Sequence, residues 1–482
     1  MNRHMHHIKK AIYVMIAVCI WLSVWQYAAL RIDKVFFLPS VTDTWKALQK
    51  LIVSKDFFHI LFRTLSKISK GFLFALFFGT ILAVVSSLSD FIKMLFLPVL
   101  KLIKSIPVAS FIILALLWIH SSNLSVLISF LMVLPIIYIN VLQGIESVDV
   151  RLLEMSKVFH MGRIRRVCYI YIPHILPFLI SGCRIGLGFC FKSGIAAEII
   201  GLPAGSIGER LYKAKLYLMT DELFAWTIVI VLVSILYEFI CMKIIHVLAQ
   251  AVIFMSSRYS GYGRRDTKAV HVNKIVCKNI SKTYESQKVL SDFTHTFSDD
   301  RTTCILGSSG IGKTTLLNIL AGIISADSGS VQFLTEESVS INAKVSMVFQ
   351  EDRLLETFDA YTNIQAVYGK TYDTDFIRKQ FEAVGLTDYE QKTTQKLSGG
   401  MKRRIAIVRA VLSDAPVLLL DEPFKGLDEH IKQQVFRYIS RQCRDKIIIL
   451  VTHDRTDIAE MNGVELELNH AAPPKNLRFP VQ

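Results

Sequence analysis

Charge is missing from the forty-one positions between Ser105 and Ile145, and only 20% of the 482-residue chain is Asp, Glu, Lys or Arg. With 52% hydrophobic residues and a mean hydropathy of +0.41, the chain is too apolar to be soluble throughout, and membrane spans are required. The eight cysteines (Cys19, Cys168, Cys183, Cys190, Cys241, Cys277, Cys304 and Cys443) include no CxxC pair and no metal-ligand spacing with histidine, which excludes a zinc or dithiol site of that kind. Acidic residues are outnumbered, 40 against 55 Lys and Arg, for a formal charge of +15. That balance can mark a nucleic-acid binder. Here, however, many of the basic residues flank apolar runs, where anionic headgroups attract them, so the lipid bilayer is the expected partner and nucleic acid is not. His4, His6 and His7 offer a metal cluster or a disordered tail, and the tail is the better reading.

The apolar runs are confined to the first half. Ala11 to Leu30 is a run of twenty uncharged residues behind Lys9 and Lys10, long enough to cross a bilayer core as a helix. A cleavable signal peptide shares that basic start but has a shorter apolar core, and further runs follow. Gly71 to Ser89 predicts a second span. The stretch from Ser105 to Ile145 predicts a third and a fourth, joined near His120 to Asn123. A fifth span from about Ile175 to Ala197 is interrupted by Arg184 and Lys192, and a sixth runs from Leu223 to about Cys241. The expected order is a six-span all-α membrane domain over 1–255, a flexible basic linker over 256–272 and an α/β domain over 273–482.

The second half carries chemistry. Alternating apolar residues in Lys274 to Tyr284 and Val289 to Phe297 predict antiparallel strands, and Thr302 to Leu306 a buried one. Directly after it, Gly307, Ser308, Ser309, Gly310, Ile311, Gly312, Lys313, Thr314 and Thr315 form a phosphate loop that feeds the helix beginning Leu316-Leu317. Glycines let backbone N–H groups turn toward phosphates, and the helix amino terminus favours negative charge there. Lys313 supplies a cation, and the hydroxyl of Thr314 suits Mg2+. Much later, the apolar run Val417 to Leu420 ends in Asp421 and Glu422. One carboxylate there can hold the Mg2+ shell while the other polarises the attacking water.

With these residues in place, residues 274 to 460 resemble the ATP-binding-cassette family. The diagnostic stretch is Leu397-Ser398-Gly399-Gly400-Met401, which in that family caps the γ-phosphate of ATP held by a second subunit. The resemblance implies that Gln350 senses Mg2+ and contacts the permease, that His453 contacts the γ-phosphate, that Gly426-Leu427-Asp428 joins two ATPases, and that Tyr284 stacks on adenine. It also implies a homodimer, since Lys313 and Ser398 of one site come from different chains. An ATPase that follows the sixth span puts both termini in the cytoplasm. The basic segment from Glu146 to Pro173 then agrees with the positive-inside tendency, whereas Arg31 to Lys67, with seven Lys or Arg, does not.

The segment 146–173 is similar to the coupling loop of binding-protein-dependent importers. Glu154 and Pro173 fit its spacing, His160 stands where that family has glycine, and Gly162 follows two positions later. From Phe37 onward the spans resemble permeases of the nitrate, sulfonate and taurine type, notably at Gly182-Cys183-Arg184 and Ala196 to Gly201. Charges at membrane depth are costly, so Arg184 and Lys192 are expected to face the bundle interior or water, either contacting an anionic small-molecule solute or pairing with Glu198. No solute-binding domain is recognisable in the sequence, so an extracytoplasmic binding protein is the expected partner, in a bacterial inner membrane. Two rivals remain open. An exporter half-transporter would need long cytoplasmic helices, and an ATPase transmitting force to an envelope enzyme would need a large external domain.

Overall fold

A computed structural model describes residues 2–32, 37–258, 271–285, 287–368, 373–387 and 392–468. The side chains of His4, His6 and His7, and most of the linker (259–270), lie outside the described residues. The chain divides into two units, one made of Met1–Ser147 and His174–Ala251, the other of Val148–Pro173 and Val252–Gln482.

Helices account for the membrane half: α1 (Asn2–Ile32), α2 (Val41–Val53), α3 (Phe57–Ser87), α4 (Asp90–Ser105), α5 (Val108–Ala115), α6 (Ser121–Glu146), α7 (Val150–Val158), α8 (Arg163–Arg166), α9 (Ile172–Gly201), α10 (Ile207–Leu216) and α11 (Thr220–Ser257). Of these, α7, α8 and the π-helical turn Val167–Tyr171 belong to the second unit. In the first unit, α3, α6 and α9 form the centre of the bundle. They approach closely because small residues sit at the contacts, the usual device where lipid supplies no hydrophobic drive between helices. A Cβ on Gly71 would lie 2.6 Å from the Val126 carbonyl oxygen, and one on Gly194 would lie 2.7 Å from Ile68 Cγ1. The peripheral α1 is tied in by Trp25, whose ring lies 5.6 Å from that of Phe224 and whose Nε1 donates to the Pro39 carbonyl.

Among the described residues, five helices are long and apolar enough to span a bilayer, and six if α4 and α5 count together. The third span is therefore corrected: it is no single straight helix. After Ser105 only the eight-residue α5 is helical before α6, and it reaches a span's length only together with the preceding α4, which meets it at 103°. The cause is local. Proline forces the residue before it out of helical backbone, and Ile106 is extended at φ −74° and ψ 130°.

In the second unit the described elements are β1 (Lys274–Tyr284), β2 (Gln287–Ser298), β3 (Thr303–Leu306), α12 (Lys313–Leu320), β4 (Ser328–Leu334), β5 (Ser340–Ile341), β6 (Val345–Val348), α13 (Ala360–Tyr368), α14 (Thr374–Ala383), α15 (Gly399–Val411), β7 (Val417–Asp421), α16 (Glu429–Gln442), β8 (Ile447–Val451), α17 (Arg455–Glu460) and β9 (Val464–Glu467). An antiparallel sheet has the order β2-β1-β4-β5, and a parallel sheet the order β6-β7-β8-β3-β9. Residues of β3, β6, β7 and β8 are buried throughout, as apolar strands covered on both faces must be. Parallel strands of this kind present their carboxyl ends along one edge, where open α/β sheets place ligands.

Candidate functional site

Four strand ends converge on that edge. Gly307 follows β3, Phe349 and Gln350 follow β6, Asp421 and Glu422 close β7, and Thr452 and His453 follow β8. The loop after β3 turns through left-handed backbone at Gly310 (φ +84°) and Gly312 (φ +107°), a region open to glycine at little cost. Gly312 then caps α12, so Lys313, Thr314 and Thr315 open the helix at its anion-favouring end. Lys313 is almost buried, and its Nζ donates to the carbonyls of Gly307 (2.7 Å) and Ser308 (2.9 Å), folded across its own loop. Burial lowers its pKa, with Glu422 and Asp421 opposing that shift.

Asp421 is buried at the end of β7, and one of its carboxylate oxygens, Oδ2, has no protein partner. Burial raises its pKa, against a hydrogen bond from Thr314. A buried oxygen with an unmet demand, beside a hydroxyl that is also an oxygen donor, fits Mg2+. That ion is held by few protein oxygens and by the phosphates of its nucleotide. Among the described residues no group of three or more His, Cys, Asp or Glu is arranged to hold a metal ion by itself.

Glu422 sits in left-handed backbone (φ +48°), unusual for a residue with a side chain. Its Oε1 lies 3.1 Å from Nε2 of His453, and its Oε2 accepts from Lys425 at 3.1 Å. Partial burial would raise its pKa, yet Lys425 and His453 together hold it below the usual glutamate value. Lys425 escaped the sequence reading, although its position three residues after Glu422 is a visible signal. The other expected residues lie on the ends of helices and strands of the same unit. Ser398 caps α15 by accepting from Met401 N, with Gly399 and Gly400 opening that helix; Asp428 caps α16; and Tyr284 is half-exposed at the end of β1. Gln350 is exposed just past β6.

The segment Val148–Pro173 packs in this same unit. Glu154 accepts from Arg353 at 2.8 Å, Arg151 pairs with Glu351, and Arg165 donates to the Ala366 and Val367 carbonyls at the end of α13, where the helix dipole favours a cation. His160 has φ +51°, left-handed backbone that explains why a glycine would suit that position. Gly162 has ordinary extended backbone, and Pro173 lies in the first turn of α9. Neither Arg353 nor Arg409, described below, was singled out from sequence.

In the first unit, Glu198 is fully buried, and its Oε2 accepts from Thr64 Oγ1 (2.9 Å) and Gly208 N (3.4 Å). Pairing of Glu198 with Arg184 or Lys192 is overturned. Both cations lie on the exposed side of α9, not in the bundle interior, because Gly182, Gly186, Cys190 and Gly194 take the packed side of that helix. The basic residues nearest Glu198 in charge interaction are Lys67 and Arg63 of α3.

Fold and site together define a nucleotide-hydrolysing P-loop domain on the same chain as a membrane-spanning helical domain. Residues 290–425 match the family described as ABC transporter, and residues 75–253 match the binding-protein-dependent transport system inner membrane component. The thiamine import ATP-binding protein ThiQ of Histophilus somni is 38% identical over 169 residues, which cover 32% of this chain and 78% of that protein. The spermidine/putrescine import ATP-binding protein PotA of Hahella chejuensis is 33% identical over 203 residues, 40% of this chain and 55% of that protein. The sulfate/thiosulfate import ATP-binding protein cysA of Cucumis sativus is 32% identical over 204 residues, 39% and 57%. The chain thus spans little more than half the length of the last two. It belongs to the ABC transporter family. It is an integral membrane protein that binds and hydrolyses ATP, with its permease and its ATPase in one chain.

Proposed function

We propose that two copies of this chain form an importer in a bacterial inner membrane, with residues 1–255 as the permease domain, 256–272 as the tether and 273–482 as the ATPase domain. A separate extracytoplasmic binding protein delivers the solute, and ATP held between the two ATPases drives its entry. The observation that carries this reading is the pairing of Glu154 with Arg353, which ties an importer-type coupling segment to the loop after Gln350. An exporter half-transporter has no need of that segment.

In this reading Lys313 and the loop amides hold the ATP phosphates of one copy, and Ser398, Gly399 and Gly400 of the other copy close over the γ-phosphate. Tyr284 stacks on adenine. Thr314, Asp421 and Gln350 would hold Mg2+, which supplies charge neutralisation at the phosphates when bound. Glu422 takes the proton of the attacking water, and His453 orients Glu422 through its 3.1 Å contact. Asp428 belongs to the seam between the copies. Glu154, His160, Gly162 and Pro173 pass the movement to the spans.

The solute is a small anion of the nitrate, sulfonate or taurine kind. The support is the permease resemblance at Gly182 to Arg184 and Ala196 to Gly201, together with Arg184 and Lys192 on a face of α9 that nothing in its own unit covers. The relatives named for thiamine, sulfate and polyamine import match in the ATPase, which touches no solute, and so do not decide among solutes. The test is co-purification of the binding protein with the chain, followed by thermal-shift screening of that partner with sulfonates, nitrate, sulfate, thiamine and spermidine. Stabilisation by an anion supports the reading. Stabilisation by a cation alone overturns the solute class, and transport that persists without any binding protein overturns the importer class.

A further inference from the structure

The helix that begins at Ser398 holds more than a nucleotide cap. Two of its arginines, Arg403 and Arg409, reach back to the loop that follows β6 and bind its backbone. Arg403 donates to the carbonyls of Phe349 (2.6 Å) and Gln350, and Arg409 to those of Asp352 (3.0 Å) and Arg353 (2.9 Å). Four carbonyls of one short loop are thus bound by one helix. Arg409 is completely buried, a costly arrangement for a charge unless hydrogen bonds and ring contacts compensate it. Its guanidinium lies 5.3 Å from the ring centroid of Phe159, which is itself buried and packed edge-on against Tyr368. Arg353, whose carbonyl Arg409 binds, carries Glu154 on its side chain and stacks 4.0 Å over Phe349.

We propose that Arg409 is a positioning residue that makes α15, the Gln350 loop and the coupling segment move as one piece, so that closure over ATP at Ser398 is felt at Phe159 and Glu154. This rests on the coupling reading above and adds to it the part that links the two ends. Burial of the guanidinium gives the link its stiffness, because a planar fork bound at two carbonyls cannot slide without leaving a charge unpaired. Lysine at this position keeps the charge but cannot bind two carbonyls with one planar fork.

The full-length chain in lipid nanodiscs tests this by amide hydrogen exchange, with and without Mg2+ and a non-hydrolysable ATP analogue. In the parent, the analogue slows exchange at 307–315, 349–353 and 150–159. In Arg409→Lys the response at 307–315 persists while that at 150–159 drops roughly fivefold, within the range such side-chain networks carry. An unchanged response at 150–159 in Arg409→Lys overturns the proposal. No response there in the parent overturns the coupling reading instead. If Arg409→Lys fails to fold, seen as lost protection at 307–315, then Phe159→Leu decides. It leaves the arginine and its carbonyl bonds in place, and the proposal stands only if the response at 150–159 is reduced.

Discussion

Glu422 is held by two cations at once, and that arrangement sets its chemistry. With Lys425 and His453 keeping its pKa below the usual glutamate value, it is ionised at neutral pH and ready to accept a proton. Glu422→Gln should lower ATP turnover by roughly 10²–10⁴-fold, the span of a general base, while retaining ATP binding. A phosphate-release assay beside fluorescent-nucleotide titration checks both halves, and turnover within a few-fold of the parent would remove Glu422 from the role of base. Lys313→Ala should abolish nucleotide binding in the same titration.

A second residue-scale prediction concerns stability. Lys432 is nearly buried and bridges Asp454 (2.8 Å) and Asp457 (2.6 Å), and Asp454 is depressed to about 2 mainly by its hydrogen bond with Lys432. A carboxylate whose pKa is lowered on folding contributes stability above its unfolded pKa and loses it as pH falls through the folded one. The Asp454 contribution is therefore lost between about pH 4 and pH 2. Lys432→Met leaves buried Asp457 without its cation, a change worth about 3 kcal/mol, and should lower Tm by several degrees at pH 7. Scanning calorimetry that finds Tm unchanged would contradict the bridge.

At His160 the left-handed backbone predicts a graded series. His160→Gly should leave Tm unchanged or raised, whereas β-branched His160→Val should lower it by straining a conformation such residues avoid, at a cost of about 1–2 kcal/mol. Equal Tm values in the two variants would mean that this turn is not strained.

At the scale of elements, close helix packing gives the sharpest expectation. Gly71→Val places a Cβ 2.6 Å from the Val126 carbonyl, backbone that has little room to yield, so α3 and α6 must separate. Overpacking of that kind costs about 1–3 kcal/mol and should appear as reduced thermal stability in detergent. Legibility at this scale followed the strength of local signals. The phosphate loop, the β7 carboxylates and the β1–β2 hairpin were readable because each requires particular residues at fixed spacing. The third span was not, because hydropathy averages over a window and carries no trace of the bend that Pro107 imposes at Ile106. Helix α10, with three buried residues between two spans, has too short an apolar face to stand out.

The Arg353–Glu154 pair illustrates a different limit. Some two hundred positions separate the two residues, and only the folded unit reveals that one serves the other. The same holds for Arg409, whose burial under Phe159 no helical period announces. The pairing of Glu198 with Arg184 or Lys192 was misjudged for a related reason. Their cost in lipid argues that they avoid it, but the interior of their own bundle is not the sole alternative when a second copy is expected alongside.

For the whole molecule, the proposed ATP site is shared between two copies, with Lys313 from one and Ser398 from the other. The most direct measurement mixes two variants on a background without the native cysteines, Ser309→Cys in one chain and Ser398→Cys in the other, and adds a short bifunctional maleimide. A cross-linked band at twice the chain mass, formed only when Mg2+ and a non-hydrolysable ATP analogue are present, is the predicted result. Saturating analogue with no cross-link between the two variants, while each still binds nucleotide, would contradict it.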